Sequence, residues 1–111
     1  MDILFASNDL KELCHNVKRA QKDLGKAGQK KLNRRLDELR DAETLAVVKT
    51  LHPRTHELKG SMAGEISMDL DGGLRLILCP GDNPPPRKPD GGLDWNQVRS
   101  VLILKVMDYH D

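Results

Sequence analysis

Residues 64–79 read GEISMDLDGGLRLILC, and this stretch decides the fold. Its first half alternates apolar and polar residues, the period-two pattern of a strand with one buried face. The apolar positions are Ile66, Met68 and Leu70. Asp71-Gly72-Gly73 then predicts a tight hairpin turn, after which residues 74–79 predict a central strand that returns antiparallel to the first.

Three further segments extend this hairpin into a sheet. Residues 55–59 predict a short strand, and Asp2–Ala6 predicts an opening strand. The longest apolar stretch, Gln97–Tyr109, predicts a last strand that lies centrally in the sheet. Residues 80–92 (PGDNPPPRKPDGG) are too rich in proline and glycine for either helix or sheet, so they predict a loop.

Two helices are predicted ahead of the sheet. The first follows a cap at Ser7 or Asn8 and ends at Gly25, and the second runs over 26–42. Residues 43–49 predict a short additional turn. The apolar positions at helical spacing are Leu10, Leu13, Cys14, Val17 and Leu24 in the first helix, and Leu32, Leu36 and Leu39 in the second.

This order of elements predicts the α+β class. We expect an N-terminal strand and an antiparallel helical hairpin that packs on one face of a mostly antiparallel sheet of four or five strands. The length of 111 residues suits one domain, which would span residues 1–111.

Composition excludes several classes of protein. Phe, Trp and Tyr each occur once, so a platform that stacks RNA bases on aromatic rings is not expected. Cys14 and Cys79 stand outside metal-binding or redox motifs, which favours a reducing compartment over a disulfide scaffold. The chain shows no signal peptide and no apolar run of the about 20 residues that a membrane span needs. We therefore expect a soluble, cytoplasmic protein without a cofactor.

The charge is unevenly distributed along the chain. Residues 11–40 hold ten Lys and Arg against four Asp and Glu, a net charge of +6, whereas the rest of the chain carries −5. Such a stretch predicts either an electropositive face for RNA or an acidic protein, or an ordinary solvated helix surface.

The strand half holds residues suited to RNA cleavage. Cleavage without a metal needs a base for the 2′-hydroxyl, cations for the phosphorane and an acid for the leaving 5′-oxygen. His, Asp and Tyr can exchange protons, and Arg and Lys can hold phosphate. The candidates are His56, Lys59, Arg75, Asp108, Tyr109 and His110. The predicted strand pairing can bring these side chains to one face of the sheet.

The candidates also have structural interpretations. Arg75, inside an apolar strand, either faces solvent, pairs with Glu65 or Asp69 across the hairpin, or binds an anion. Strand alternation places Asp108 and Tyr109 on opposite faces.

A metal site is disfavoured. His52 and His56 are four residues apart, but the proline between them disrupts a helical pair, and no cluster of cysteines or carboxylates completes a ligand set.

The order of these motifs resembles the HigB branch of the RelE toxin superfamily. That branch has an H-x-L-K-G strand, a G-x-x-S strand, an arginine in the next strand and a D-Y-H end. The corresponding segments here are His56-Glu57-Leu58-Lys59-Gly60, Gly64-Glu65-Ile66-Ser67, Leu74-Arg75-Leu76 and Asp108-Tyr109-His110. The Lys/Arg-rich second helix also matches, so the resemblance covers nearly the whole chain.

The resemblance implies the toxin of a type II toxin–antitoxin system. Such toxins are ribosome-dependent endoribonucleases (mRNA interferases) that cleave translated mRNA by metal-independent attack of the 2′-hydroxyl. The implied partners are the ribosome, mRNA and a HigA-like helix-turn-helix antitoxin. DNA would be contacted only indirectly, through this antitoxin. By this resemblance His56, Asp108, Tyr109 and His110 match catalytic positions, and Lys59 and Arg75 match phosphate-binding positions.

Two other functions remain open on the sequence. A catalytically weak binding module of the same fold would act through its antitoxin as a transcriptional co-repressor. A different fold would use the helical hairpin for protein interaction, but the strand pattern after residue 55 disfavours it.

Overall fold

The computed structural model describes residues 1–109. The helices are α1 (Asn8–His15), α2 (Val17–Asp41) and α3 (Leu45–Leu51). The strands are β1 (Asp2–Phe5), β2 (His56–Glu57), β3 (Ile66–Asp69), β4 (Leu74–Pro80) and β5 (Ser100–Asp108). Single 3-10 turns lie at Gly60–Met62 and Trp95–Gln97.

The five strands form one sheet in the order β1-β5-β4-β3-β2. All neighbours are antiparallel except β1 and β5, which run parallel. A parallel pair needs a long connection, and here residues 6–99 provide it. The predicted hairpin joins β3 and β4, and its turn is closed by a 2.9 Å hydrogen bond from the Leu74 N–H to the Asp71 carbonyl. The expected α+β fold is confirmed, and β5 lies between two neighbours as predicted.

The first helix is shorter than its apolar spacing predicts. It ends at His15, and the Asn16 side chain begins α2 by accepting a 3.0 Å hydrogen bond from the Arg19 N–H. An asparagine side chain competes with the helical backbone in this way, so a cap replaces a continuous helix. The break turns Val17, predicted to be buried, outward to 55% exposure.

The predicted reversal at Gly25 is present within α2. Gly25 has φ +78° and ψ 168°, which interrupts the helical backbone. The Gln21 and Gln29 side chains hydrogen-bond across the turn at 3.4 Å, so residues 17–24 and 26–41 form the two limbs of a helical hairpin.

We expect Gly25→Ala to lower the free energy of unfolding by about 1–3 kcal/mol, because a side chain rarely tolerates this backbone conformation. A Cβ at this position would have nothing within 4 Å, so the cost arises from the backbone alone. Urea unfolding measures it, with Lys26→Ala as the control for an exposed neighbouring position. Equal stability of G25A and K26A would contradict the assigned turn.

One core fills the space between the helices and one face of the sheet. Its fully buried members are Leu39, Leu45, Val48, Ile66, Met68, Leu76, Leu78, Val98, Val101 and Ile103. The proline-rich loop packs against this core. Leu93, which follows the loop, is buried in the core and pairs with Arg87 of the loop in an isolated β-bridge. In residues 1–109 no helix has the length and apolarity to span a membrane.

Candidate functional site

Strand register shows which candidates share a face of the sheet. His56 pairs with Ser67, which in turn pairs with Ile77, and two residues along β3 Asp69 pairs with Arg75. Paired and alternate residues point to the same side of a sheet. The core residues of β3 and β4 occupy the alternate positions. We call the face that carries His56, Ser67, Asp69, Arg75 and Lys105 the outer face, because it lies opposite the helices.

Arg75 lies on this face near the start of β4, beside the hairpin turn, and several contacts fix it there. Its Nε contacts Asp69 Oδ1 at 3.0 Å, and its Nη1 donates 2.8 Å hydrogen bonds to the carbonyls of Gly72 and Leu74. Of the interpretations left open by the sequence, pairing with Asp69 is thus the one that the structure adopts. These contacts do not use Nη2, so the guanidinium can still bind an anion.

Tyr109 lies beside Arg75. Its N–H donates to the Gly73 carbonyl at 2.9 Å, which continues the pairing of β5 with β4 beyond the last strand residue. The Arg75 guanidinium carbon lies 5.9 Å from the centroid of the Tyr109 ring, within the range of a cation–π contact. The tyrosine is about half exposed, so its hydroxyl is accessible to a ligand of Arg75.

His56 is exposed at the edge of the outer face. Its Nδ1 lies 2.7 Å from the Arg54 carbonyl, which can only accept, so Nδ1 carries the proton. In the neutral ring Nε2 therefore keeps the lone pair that a general base requires. Lys59 is also exposed, immediately before the 3-10 turn at Gly60–Met62.

The remaining two candidates are placed differently. Asp108 is exposed and pairs with Leu74, a residue packed against the core, so alternation assigns it to the opposite face from Arg75 and Tyr109. His110 lies outside the described residues.

Sequence reasoning missed Arg54 and Lys105. Arg54 forms an ion pair through its Nε with Asp69 Oδ2, so one carboxylate joins the guanidiniums of Arg54 and Arg75. Lys105, on β5, pairs with Ile77 of β4 and is exposed. The sequence holds a local signal for both residues, because each lies close to a candidate: Arg54 stands two residues before His56, and Lys105 stands four residues before Tyr109. Four basic side chains thus share the outer face with Asp69: Arg54, His56, Arg75 and Lys105. Their positive charge makes this face favourable for a phosphate.

A buried charge network supports the outer face from the helix side. Arg35 is 9% exposed, and its Nε donates to the Asp69 carbonyl at 2.9 Å while its Nη1 contacts Glu38 Oε1 at 2.5 Å. The hydrogen bond from Arg35 holds the Asp69 backbone on the helix side of the sheet, and the Asp69 carboxylate in turn orients Arg75.

His52 adjoins this network. Burial, followed by the positive charge of Arg35, lowers the pKa of its imidazole below the usual 6.5, although Glu38 and Asp69 oppose the shift. In the folded protein His52 is therefore neutral at pH 7.

We expect the stability of the fold to decrease as pH falls below 6.5. Between 6.5 and the lower folded pKa, the unfolded chain binds a proton at His52 that the folded chain does not, so acid favours unfolding. Below the folded pKa this contribution becomes constant. His52→Gln should give a shallower loss of Tm between pH 7 and pH 5 than the wild type, with His15→Gln as the control for removal of an exposed imidazole. An H52Q profile parallel to that of the wild type would contradict this assignment.

The outer-face residues lie apart from an apolar cleft in the structure. This cleft, of about 380 Å³, lies at the other end of β4, between the sheet and the proline-rich loop, and none of the five described candidates lines it. An exposed cationic surface suits the backbone of a polymer better than a small molecule that must be enclosed. No group of three or more His, Cys, Asp or Glu side chains within residues 1–109 is arranged to hold a metal ion.

No family model matches the chain, and a search of curated proteins finds no match.

Proposed function

We propose that the chain is a ribosome-dependent endoribonuclease, the toxin of a type II toxin–antitoxin system. The observation that carries this proposal is the position of Arg75 on the outer face, fixed by Asp69 and two carbonyls, with Tyr109 beside it. A guanidinium held in advance stabilises the charge that develops on a phosphorane without the cost of reorganisation.

Proton transfer is assigned to residues around this cation. His56 Nε2 can accept the proton of a 2′-hydroxyl, after which the oxygen attacks the adjacent phosphorus and the 5′-oxygen leaves. Tyr109 can interact with the phosphate through its hydroxyl. Asp108 and His110 stay predicted candidates for the acid, although strand register assigns Asp108 to the opposite face of the sheet, and Lys59 stays a predicted second phosphate contact.

The proposed partners are the ribosome with its mRNA, and a HigA-like helix-turn-helix antitoxin through which DNA is contacted indirectly, in the cytoplasm. The basic helical surface supports an RNA partner, because Lys26, Lys30 and Arg34 are exposed at four-residue spacing on one limb of α2. This surface lies on the helical layer, so it can bind ribosomal RNA while the outer face meets mRNA.

Expression of the chain alone tests the proposal. We expect growth arrest on induction, with new mRNA 5′ ends inside translated codons when the ends are mapped by primer extension. The control is the same transcript made untranslatable by loss of its start codon, which should remain intact. Cleavage of both transcripts would refute ribosome dependence, and intact mRNA in arrested cells would refute the nuclease.

A second candidate is a catalytically weak binding module of the same fold that acts with its antitoxin as a co-repressor. It is favoured by the engagement of Arg75 and Arg54 with Asp69, which neutralises part of their charge. Normal growth and intact mRNA in cells that contain soluble, folded protein would support this function instead.

A further inference from the structure

The outer face holds two arginines that share one carboxylate. Arg75 binds Asp69 Oδ1, and Arg54, from the segment between α3 and β2, binds Oδ2. A carboxylate and a phosphodiester each present two oxygens that guanidinium groups recognise in the same way. A guanidinium that binds a carboxylate oxygen can therefore bind a non-bridging oxygen of a phosphate instead.

We infer that Arg54 and Arg75 form a clamp for one backbone phosphate of single-stranded RNA, and that Arg54 exchanges Asp69 for this phosphate when the RNA binds. This inference rests on the proposed function, and adds Arg54 as a substrate-binding residue and Asp69 as a positioning residue.

The two arms of the clamp differ in how firmly they are held. The Arg75 side chain is 21% exposed and has two carbonyl acceptors besides Asp69. The Arg54 side chain is 75% exposed, so solvent screens its charge and its ion pair contributes little to stability. Arg54 can consequently exchange Asp69 for a phosphate at little cost to the fold, whereas Arg75 stays in place.

Asp69 itself stays in place when the RNA binds. It lies in β3 and is largely buried, and its carbonyl accepts from the Arg35 guanidinium. The exchange therefore requires Arg54 to swing away from Asp69 toward the RNA, and Asp69 continues to orient Arg75. The phosphate would then lie beside Tyr109 and on the same side as His56, where the proposed reaction takes place.

Removal of the exposed arm gives the sharpest test. The probe is a short single-stranded RNA with 2′-O-methyl groups, which cannot be cleaved, and its binding is followed by fluorescence anisotropy over a range of salt concentrations. For Arg54→Ala we expect several-fold weaker binding and a plot of log K against log salt that is shallower by about 0.7, the loss of one phosphate contact on a single strand. The matched control is Arg99→Ala, which removes an exposed arginine just before the first residue of β5, far along that strand from Tyr109.

One more variant examines geometry. Arg54→Lys keeps the charge but loses the planar fork, so we expect it to restore the salt slope and only part of the affinity. An unchanged slope in R54A, or an R54K slope equal to that of R54A, would overturn the clamp.

Ribosome-dependent cleavage separates this inference from the proposed function. If the wild type cleaves mRNA and R54A cleaves it at the wild-type rate, the clamp fails and the nuclease stands. If the wild type does not cleave but R54A still shows the smaller salt slope, the nuclease fails and the RNA clamp stands. We expect wild-type cleavage with a rate at least about tenfold lower in R54A and unchanged in R99A, since one charged contact is worth about that factor.

Discussion

Replacing Arg75 with alanine is expected to abolish growth arrest and to slow ribosome-dependent mRNA cleavage by about 10²- to 10³-fold. This is the usual effect of removing one prearranged donor that stabilises charge in a transition state. The guanidinium is fixed by Asp69 and by the carbonyls of Gly72 and Leu74. Single-turnover cleavage of a translated mRNA in a reconstituted system measures the loss.

The fold should survive this substitution. Asp69 keeps its ion pair with Arg54 and its carbonyl hydrogen bond from Arg35 in the R75A variant. We expect Arg75→Lys to recover part of the activity, since the charge remains but the several directed N–H groups are lost. Arg99→Ala should be as active as the wild type. A folded R75A protein that still arrests growth and still binds its antitoxin would show that the reaction takes place elsewhere.

Replacing Leu39 with alanine is expected to lower the free energy of unfolding by about 3 kcal/mol, within a range of about 2–5 kcal/mol for buried leucines. Leu39 is fully buried in the second limb of α2, in the core shared by the helices and the sheet. The loss combines apolar burial with the cavity that remains. Urea unfolding followed by circular dichroism measures it.

Leu4→Ala is the matched control for this prediction. Leu4 lies on the edge strand β1 and is 50% exposed, so the same change should cost less than about 1 kcal/mol. Equal losses at the two positions would mean that α2 does not pack on the sheet through Leu39.

The two measurements address different parts of one molecule. Leu39 belongs to the core on the helix side of the sheet, and Arg75 belongs to the outer face. The L39A variant should therefore retain its cleavage rate per folded molecule, whereas the R75A variant should lose the rate and retain the fold. This separation distinguishes a catalytic defect from a loss of folded protein.

Local patterns predicted most of the elements. The alternation at 66–70 and the Asp71-Gly72-Gly73 turn placed the β3–β4 hairpin, because both depend on neighbouring residues alone. The apolar spacing failed at Asn16, where a side-chain hydrogen bond begins a new helix inside an otherwise periodic stretch. The apolar pattern also predicted that the last strand begins at Gln97, which was wrong. In the structure Gln97 ends a 3-10 turn, and β5 begins three residues later at Ser100.

The sequence by itself determined the α+β class, the helical hairpin at Gly25 and the residue types suited to holding a phosphate, since these follow from periodicity and composition. Only the tertiary structure decided which of those residues meet. Strand register set Arg75 beside Asp69 and Tyr109 and assigned Asp108 to the other face. Arg54 entered the site through an ion pair with Asp69, fifteen residues away. That contact depends on how β2, β3 and β4 align, so the position of Arg54 two residues before His56 marked it as a neighbour of a candidate but did not predict the contact.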